Sequence, residues 1–382
     1  MIIGIDASRN RSGGAKAYLN GILKNLEPSQ YDIHEIHIWS YKQILAELPK
    51  HPRIIYHSPW QLNCSLPFQL LWQMLVLNLE LKKYKCNVLF TTDASTLCRF
   101  KPHIVMSQDM LSYEPGIINI YGFTLSRIRL LIILYLQNYV FRWADTVIFL
   151  TEYASKIIRS KCPGIKSHVL IPHGINFSEY CNSINSFPTD NSAIECIYIS
   201  SSDLYKNHPT VILAIEKLRL DGFNCNLTLV GGGTGAGKKK LYKTIEKAKG
   251  LIGHLYCFGF LSPNEVSQKL KRSHLFIFAS SCENMPITLL EGMASGLPIA
   301  CSDRGPMPEV LRNGGVYFNP EDYISISKAI KKIIIDGELR QKIVESAKNS
   351  ALKYSWENCQ KSTWSFISNF IKNNDDKLSN LH

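Results

Sequence analysis

Short runs rich in β-branched and aromatic residues alternate with helix-length amphipathic stretches along the whole chain, and this rhythm leaves few folds open. In the second half the runs are IECIYIS (Ile194 to Ser200), NLTLVG (Asn226 to Gly231), HLYCFGF (His254 to Phe260), HLFIFAS (His274 to Ser280) and LPIACSD (Leu297 to Asp303). Between them, stretches such as HPTVILAIEKLRL and LYKTIEKAKG carry helical spacing. Apolar strands separated by helix-length segments predict a parallel sheet covered on both faces. The first half repeats the pattern with MIIGIDA, IHEIHIWS, CNVLFTTDA, PHIVMSQD and DTVIFLT. The expected fold class is therefore α/β, with two doubly wound, Rossmann-like domains.

A chain of 382 residues has room for two such domains. Its 45% hydrophobic and 19% charged residues suffice for two ordinary cores. The seam is expected in VLIPHGINFSEYCNSINSFPTDNSA, Val169 to Ala193, where a Pro, a Gly and an Asn/Ser-rich run offer little to pack. The expected domains are 1–185 and 186–372, with the last helix able to cross back onto the first domain and 373–382 a disordered tail.

The formal net charge is +12, and residues 1–180 hold 19 Lys/Arg against 12 Asp/Glu, so +7 of it falls in the first half. Such an excess draws polyanions such as nucleotide diphosphates or anionic lipid headgroups. No helix-turn-helix, RNP or zinc-finger pattern is present, so nucleic acid is not an expected partner. The eleven cysteines include no CxxC pair and no spacing to histidine that suits zinc. They read as buried thiols of a cytoplasmic protein, and the start MIIGID reads as a strand and not a leader. Two apolar stretches, LLWQMLVLNLEL and LLIILYLQNYVF, fall short of the roughly 20 residues a spanning helix needs. The second lies among Arg127, Arg129, Arg142 and Trp143, which suits either a helix at a lipid surface or a core helix.

The stretch LVGGGTGAGKKK, Leu229 to Lys240, resembles the phosphate-binding loop of an ATP hydrolase only superficially. Aligned from Gly232, that motif reaches Gly237 and Lys238 but finds Lys239 where a Ser or Thr would hold magnesium. A dinucleotide fingerprint fails as well, because no acidic residue follows about twenty positions on. The expectation is a tight turn that lets the chain pass close to something, with Lys238 to Lys240 as a solvated helix start.

The segment from His274 to Gly315 carries more chemistry. A buried strand ends at Ser280, a polar turn follows, and Pro286 opens a helix that stops at Gly296. The strand's carboxyl end and the helix's amino end then meet at Glu283, Asn284 and Met285, the edge at which open parallel sheets bind ligands. Glu283 and Glu291, eight residues apart, cannot share one ligand atom. They can grip two parts of an elongated ligand by accepting hydrogen bonds from sugar hydroxyls, or they can be a cap and a solvated side chain.

The run ENMPITLLEGMASGLPIACSDRGPMPEV from Glu283 resembles the signature of the group 1 family of retaining glycosyltransferases, whose fold is GT-B. The resemblance extends, in order, through GGAKAYLNGILKNL, SQDMLSYEPG, VIFLTEYASKII, VLIPHGI, SSSDLYKNHPTVILAIEKL, LVGGGTGAG and FGFLSPNEV. It implies two Rossmann-like domains facing each other across a cleft, and a nucleotide-diphosphate sugar held mainly by the second. By this resemblance Glu291 binds the ribose hydroxyls and Glu283 the transferred sugar, while Asn284, Met285, Pro286 and Ile287 bring backbone close to the sugar and phosphates. Lys206 neutralises the leaving diphosphate, Phe260 and Leu261 meet the nucleobase, and Gly13 and Gly14 form the first domain's glycine loop.

The chain departs from the family at two positions. Ser201 stands where an arginine is usual, so either another cation such as Lys16 or Arg304 supplies that charge or catalysis leans on Lys206. Gln108 stands where histidine is common; it can bond a hydroxyl but cannot act as acid or base. The implied reaction moves a hexose from a nucleotide sugar to a glycan or lipid-linked glycan of cell-surface polysaccharide or lipopolysaccharide, with retention. Neither a metal nor another cofactor is expected, and a peripheral position at the inner face of the cell membrane fits the basic first half. The other readings are a sugar-nucleotide epimerase or an inactive sugar-nucleotide-binding relative.

Overall fold

A computed structural model of the chain describes residues 1–9, 13–180, 186–188, 190 and 192–379, excepting the side chains of 13 and 375–379. It divides into two compact units, Met1–Gly174 with Trp356–His382, and Ile175–Ser355. The boundary expected near 185 lies outside the described residues, and the chain changes unit earlier, after Gly174. The last helix, Trp356–Ser379, groups with the first unit, and it continues past 373, where a disordered tail is expected from sequence.

The N-terminal unit holds β1 (Ile2–Asp6), β2 (Glu35–Trp39), β3 (Ile54–His57), β4 (Val88–Thr91), β5 (His103–Met106), β6 (Thr146–Phe149) and β7 (His168–Leu170). They form one sheet in the order β3-β2-β1-β4-β5-β6-β7, and every pairing is parallel. The five strands expected from sequence are all present. The two edge strands β3 and β7 are additional, and β7 takes up residues assigned to the seam. Both are short and incompletely buried, so they lack the continuous apolar run that marks the central strands.

Chain direction across this sheet fixes where the helices lie. The step from β1 to β2 carries the helix Gly13–Leu23, and the steps from β3 to β4 and from β5 to β6 run the opposite way. Right-handed crossovers therefore put Leu66–Lys83 and Leu125–Trp143 on one face and Gly13–Leu23 on the other. The last helix covers that second face, where Trp364 Nε1 donates to Ile22 O at 2.7 Å and Gln360 Nε2 to Lys24 O at 2.8 Å.

The C-terminal unit holds β8 (Ile194–Ile199), β9 (Cys225–Val230), β10 (Leu255–Phe258), β11 (Leu275–Phe278), β12 (Ile299–Ser302) and β13 (Val316–Phe318). Their order is β10-β9-β8-β11-β12-β13, again all parallel. Five were expected, and β13 is again an edge strand. Phe276, Phe278, Tyr198, Leu289 and Met293 fill the core beneath the sheet's carboxyl edge.

Candidate functional site

From β8 the chain winds outward to β9 and β10 and then returns to β11 on β8's other side. The connections leaving β8 and β11 therefore diverge, which makes the carboxyl edge between them the switch point where open parallel sheets take ligands. Two loops line it, 200–207 after β8 and 279–286 after β11. Asn207, held at φ 54°, ties them together: its Nδ2 donates to Ala279 O at 2.9 Å and to Ser281 Oγ at 2.7 Å. Ser281 N donates to Tyr205 O at 2.8 Å, which closes the clasp.

Lys206 ends the 3₁₀ turn Leu204–Lys206, and the hydroxyl of buried Tyr198 donates to its carbonyl at 2.7 Å. With its backbone fixed, the largely buried Lys206 donates from Nζ to Glu283 Oε1. Beside it, burial and the lysine's charge push His208 down to about 4, so that ring is neutral and bonds Ser200 Oγ at 3.1 Å. An ion pair this deep is worth little net, because desolvation offsets the Coulomb attraction. Its chemical value is availability: the ammonium can turn to another anion and the carboxylate to another hydrogen-bond donor.

The helix Ile287–Ser295 starts after Pro286 and stops at Gly296, whose φ of 77° suits a glycine C-cap. Asn284, Met285 and Pro286 are buried and Ile287 is half-buried at its amino end. Glu291, one and a half turns in, accepts from Tyr180 Oη at 2.9 Å. Burial raises its carboxyl from the ordinary 4.5 to about 7, the Tyr180 bond opposes this, and nearby Glu179 adds to it. Glu283 and Glu291 thus have separate partners, as two grips on an elongated ligand require.

The glycine-rich loop packs against the lysine loop. A Cβ on Gly231, whose φ is 127°, would lie 2.1 Å from Ser200 O, and one on Gly237 would lie 2.0 Å from Ser202 O. Close backbone approach is therefore what these glycines permit. Phe260, exposed after β10, lies over Gly232, where a Cβ would come within 2.6 Å of its ring, and Leu261 follows half-buried.

Other expected residues fall elsewhere. Ser201 turns its hydroxyl to Asp203 at 2.7 Å, a local contact that carries no positive charge. Arg304 bonds Asn319 Oδ1 at 3.1 Å and lies 3.7 Å from both Asp303 and Glu321, and Lys16, in the N-terminal unit, pairs with Glu47. Gln108 sits beyond the end of β5, its Nε2 3.4 Å from Met106 Sδ, and Gly13 and Gly14 begin the helix after β1. Sequence reasoning missed Tyr180 and Asn207. Tyr180 lies in the stretch read as a seam with little to pack, yet it is buried in the short helix Phe177–Tyr180. Asn207 had a readable signal, an Asn directly before His-Pro at a helix start.

Comparison with known proteins gives the same picture. Residues 182–350 match the family model described as glycosyl transferases group 1. O-antigen chain mannosyltransferase B of Escherichia coli is 25% identical over 169 residues, 44% of each chain. O-antigen chain mannosyltransferase RfbU of Salmonella typhimurium is 32% identical over 98 residues, 26% of this chain and 27% of its own. The chain thus spans less than half the length of these curated relatives. Among solved structures, sucrose-phosphate synthase of Thermosynechococcus elongatus superimposes over 97% of this chain and 99% of its own with a TM-score of 0.75 at 14% identity. HepE of Anabaena, solved in complex with UDP-glucose, covers 97% of this chain and 100% of its own with a TM-score of 0.71 at 16% identity. The parallel sheets and the likeness to these solved structures give the chain a GT-B fold, and its residues 182–350 are similar to the group 1 glycosyltransferases.

Proposed function

We propose that the protein is a retaining hexosyltransferase that moves a sugar from a nucleotide-diphosphate donor to a glycan or lipid-linked glycan. The observation that carries this reading is the pairing of Lys206 with Glu283 at the switch point of the C-terminal sheet, with Glu291 on the helix that starts there. Lys206 swings from Glu283 to the donor's diphosphate and stabilises the negative charge that grows as the glycosidic bond breaks. Glu283, released, accepts from a hydroxyl of the transferred sugar. Glu291 accepts from the ribose hydroxyls, an interaction that favours its ionised form. The departing phosphate takes the acceptor's proton on the face it leaves, which retains the anomeric configuration and requires neither a carboxylate nucleophile nor a metal. Gln108 bonds a sugar hydroxyl without exchanging a proton, and Gly13 and Gly14 give backbone access to phosphate and acceptor.

The relatives that act in O-antigen chains support a role in cell-surface polysaccharide or lipopolysaccharide synthesis, on the cytoplasmic side of the cell membrane. Thermal-shift screening against UDP, GDP and ADP and their sugars identifies the donor. Turnover of that donor, measured for wild type, Lys206→Ala and Glu291→Ala, tests the assignment: it fails if both variants keep wild-type rates. Tight nucleotide binding without turnover by wild type would instead mark an inactive binding relative.

A further inference from the structure

The helix Leu125–Trp143 is apolar on two opposite sides. Leu130, Gln137, Val140 and Phe141 point into the core. Ile128, Leu131, Ile132 and Tyr135, spaced three and four apart, form an exposed stripe along the other side. At 100° per residue, Arg127 and Arg129 fall on either flank of that stripe. Phe123, fully exposed in the loop just before the helix, lies under the Arg127 guanidinium at 5.4 Å. The neighbouring stretch Leu66–Lys83, on the same sheet face, exposes a second stripe through Phe68, Leu71, Leu75 and Leu79. The segment between β4 and β5 links the two: Cys98 and Phe100 pack with Trp72 and Leu77, and Arg99 stacks over Tyr139 and Trp143 at 5.0 and 5.4 Å.

We infer that this face of the N-terminal unit docks on an anionic phospholipid surface, with Phe123 and the Ile128–Tyr135 stripe entering the acyl boundary and the arginines meeting headgroup phosphates. Charge selects lipid as the occupant. From Pro115 to Trp143 the chain has three arginines and no acidic residue, so the surface complements an anionic bilayer and opposes its own copy. No helix among the described residues is long and apolar enough to cross a membrane. In-plane docking needs no such helix, because an arginine at each flank can reach headgroups while its stem covers apolar surface. The inference deepens the proposed membrane-side role by naming the surface, and it does not depend on the chemistry at Lys206.

The test is co-sedimentation of the full chain with neutral phosphatidylcholine vesicles and with vesicles containing about one third phosphatidylglycerol. Wild type is expected to bind the anionic vesicles only, and less as salt shortens the Debye length. Arg127→Gln/Arg129→Gln should lower the partition coefficient about thirtyfold, and Phe123→Ser/Ile128→Ser/Ile132→Ser should abolish binding. Nucleotide-induced thermal shift, read in parallel, should stay at the wild-type value in both variants. Failure of wild type to bind anionic vesicles, or wild-type partitioning by the arginine variant, overturns the inference. A wild-type dimer that the serine variant converts to monomer, without vesicle binding by either, would make the face a contact between copies and overturn it equally. A donor assay with a soluble acceptor separates these outcomes from failure of the transferase reading.

Discussion

The two sheets share a strand order around their switch points but use them in opposite ways. In the N-terminal sheet the switch point lies between β1 and β4, and its acidic residue, Asp6, is buried and saturated with donors. Asp6 Oδ1 accepts from Ser8 N and Oγ at 3.0 and 2.5 Å, and Oδ2 accepts from Gln73 Nε2 and Thr96 Oγ1 at 3.0 and 3.1 Å. In the C-terminal sheet the charges at the switch point hold one another, and Glu291 keeps a proton to near neutrality. A saturated carboxylate locks loops together and has nothing to offer a ligand. A mutually paired lysine and glutamate can each exchange a partner. Equivalent backbone geometry therefore yields a structural clamp in one unit and an exchangeable ion pair in the other.

The sharpest way to break this comparison is Lys206→Ala, expected to lower donor turnover about 10²–10³-fold, as loss of one preorganised charge at a developing anion does. Asp6→Asn, by contrast, should leave turnover per folded molecule unchanged. Next in size is the stability cost of orphaning Glu283. Lys206→Met should destabilise the C-terminal unit by about 3 kcal/mol, and Lys206→Met/Glu283→Leu should recover most of it. Equal losses for single and double variants in urea denaturation would mean the pair is not the isolated unit described. Asp6→Asn turns an amide N–H₂ toward donors and should cost about 2 kcal/mol, read as a lower midpoint for the N-terminal unit.

The smallest effect is pH dependence from Glu291. Its folded value, about 7, lies above the ordinary 4.5, so between those values the folded state binds more protons than the unfolded one. Stability from this group therefore falls as pH rises through that window and is level above it. Glu291→Gln should flatten the decline of Tm from pH 5 to 8. Nucleotide affinity of wild type should rise over pH 6 to 8, because ribose hydroxyls bond the ionised form, and that rise should vanish in the variant.

Much of the fold was legible because central parallel strands must be apolar on both faces, as IECIYIS and HLFIFAS are. The strands β7 and β13 escaped because each has three residues, too few to show a run, and β3 because only its first residue is buried. The placement of Glu283 and Glu291 was legible because strand ends and helix starts are marked by residues such as Pro286 and Gly296 that report local backbone, whereas Lys206 stood out only through the resemblance to the family. Tyr180 was not, since a tyrosine in an Asn/Ser-rich stretch reads as linker until a helix more than a hundred residues away supplies its carboxylate partner.

The sequence by itself determined the class of fold, the carboxyl-edge turns and the residue types available there, because these depend on periodicity and near-neighbour backbone preferences. Only the tertiary structure decided that Lys206 meets Glu283, that Tyr180 meets Glu291, and that the second arginine-flanked stretch is a core helix on one side and a bare apolar stripe on the other. Those outcomes depend on which distant segments share one edge or face of a sheet, and strand order is not written in any local stretch of chain.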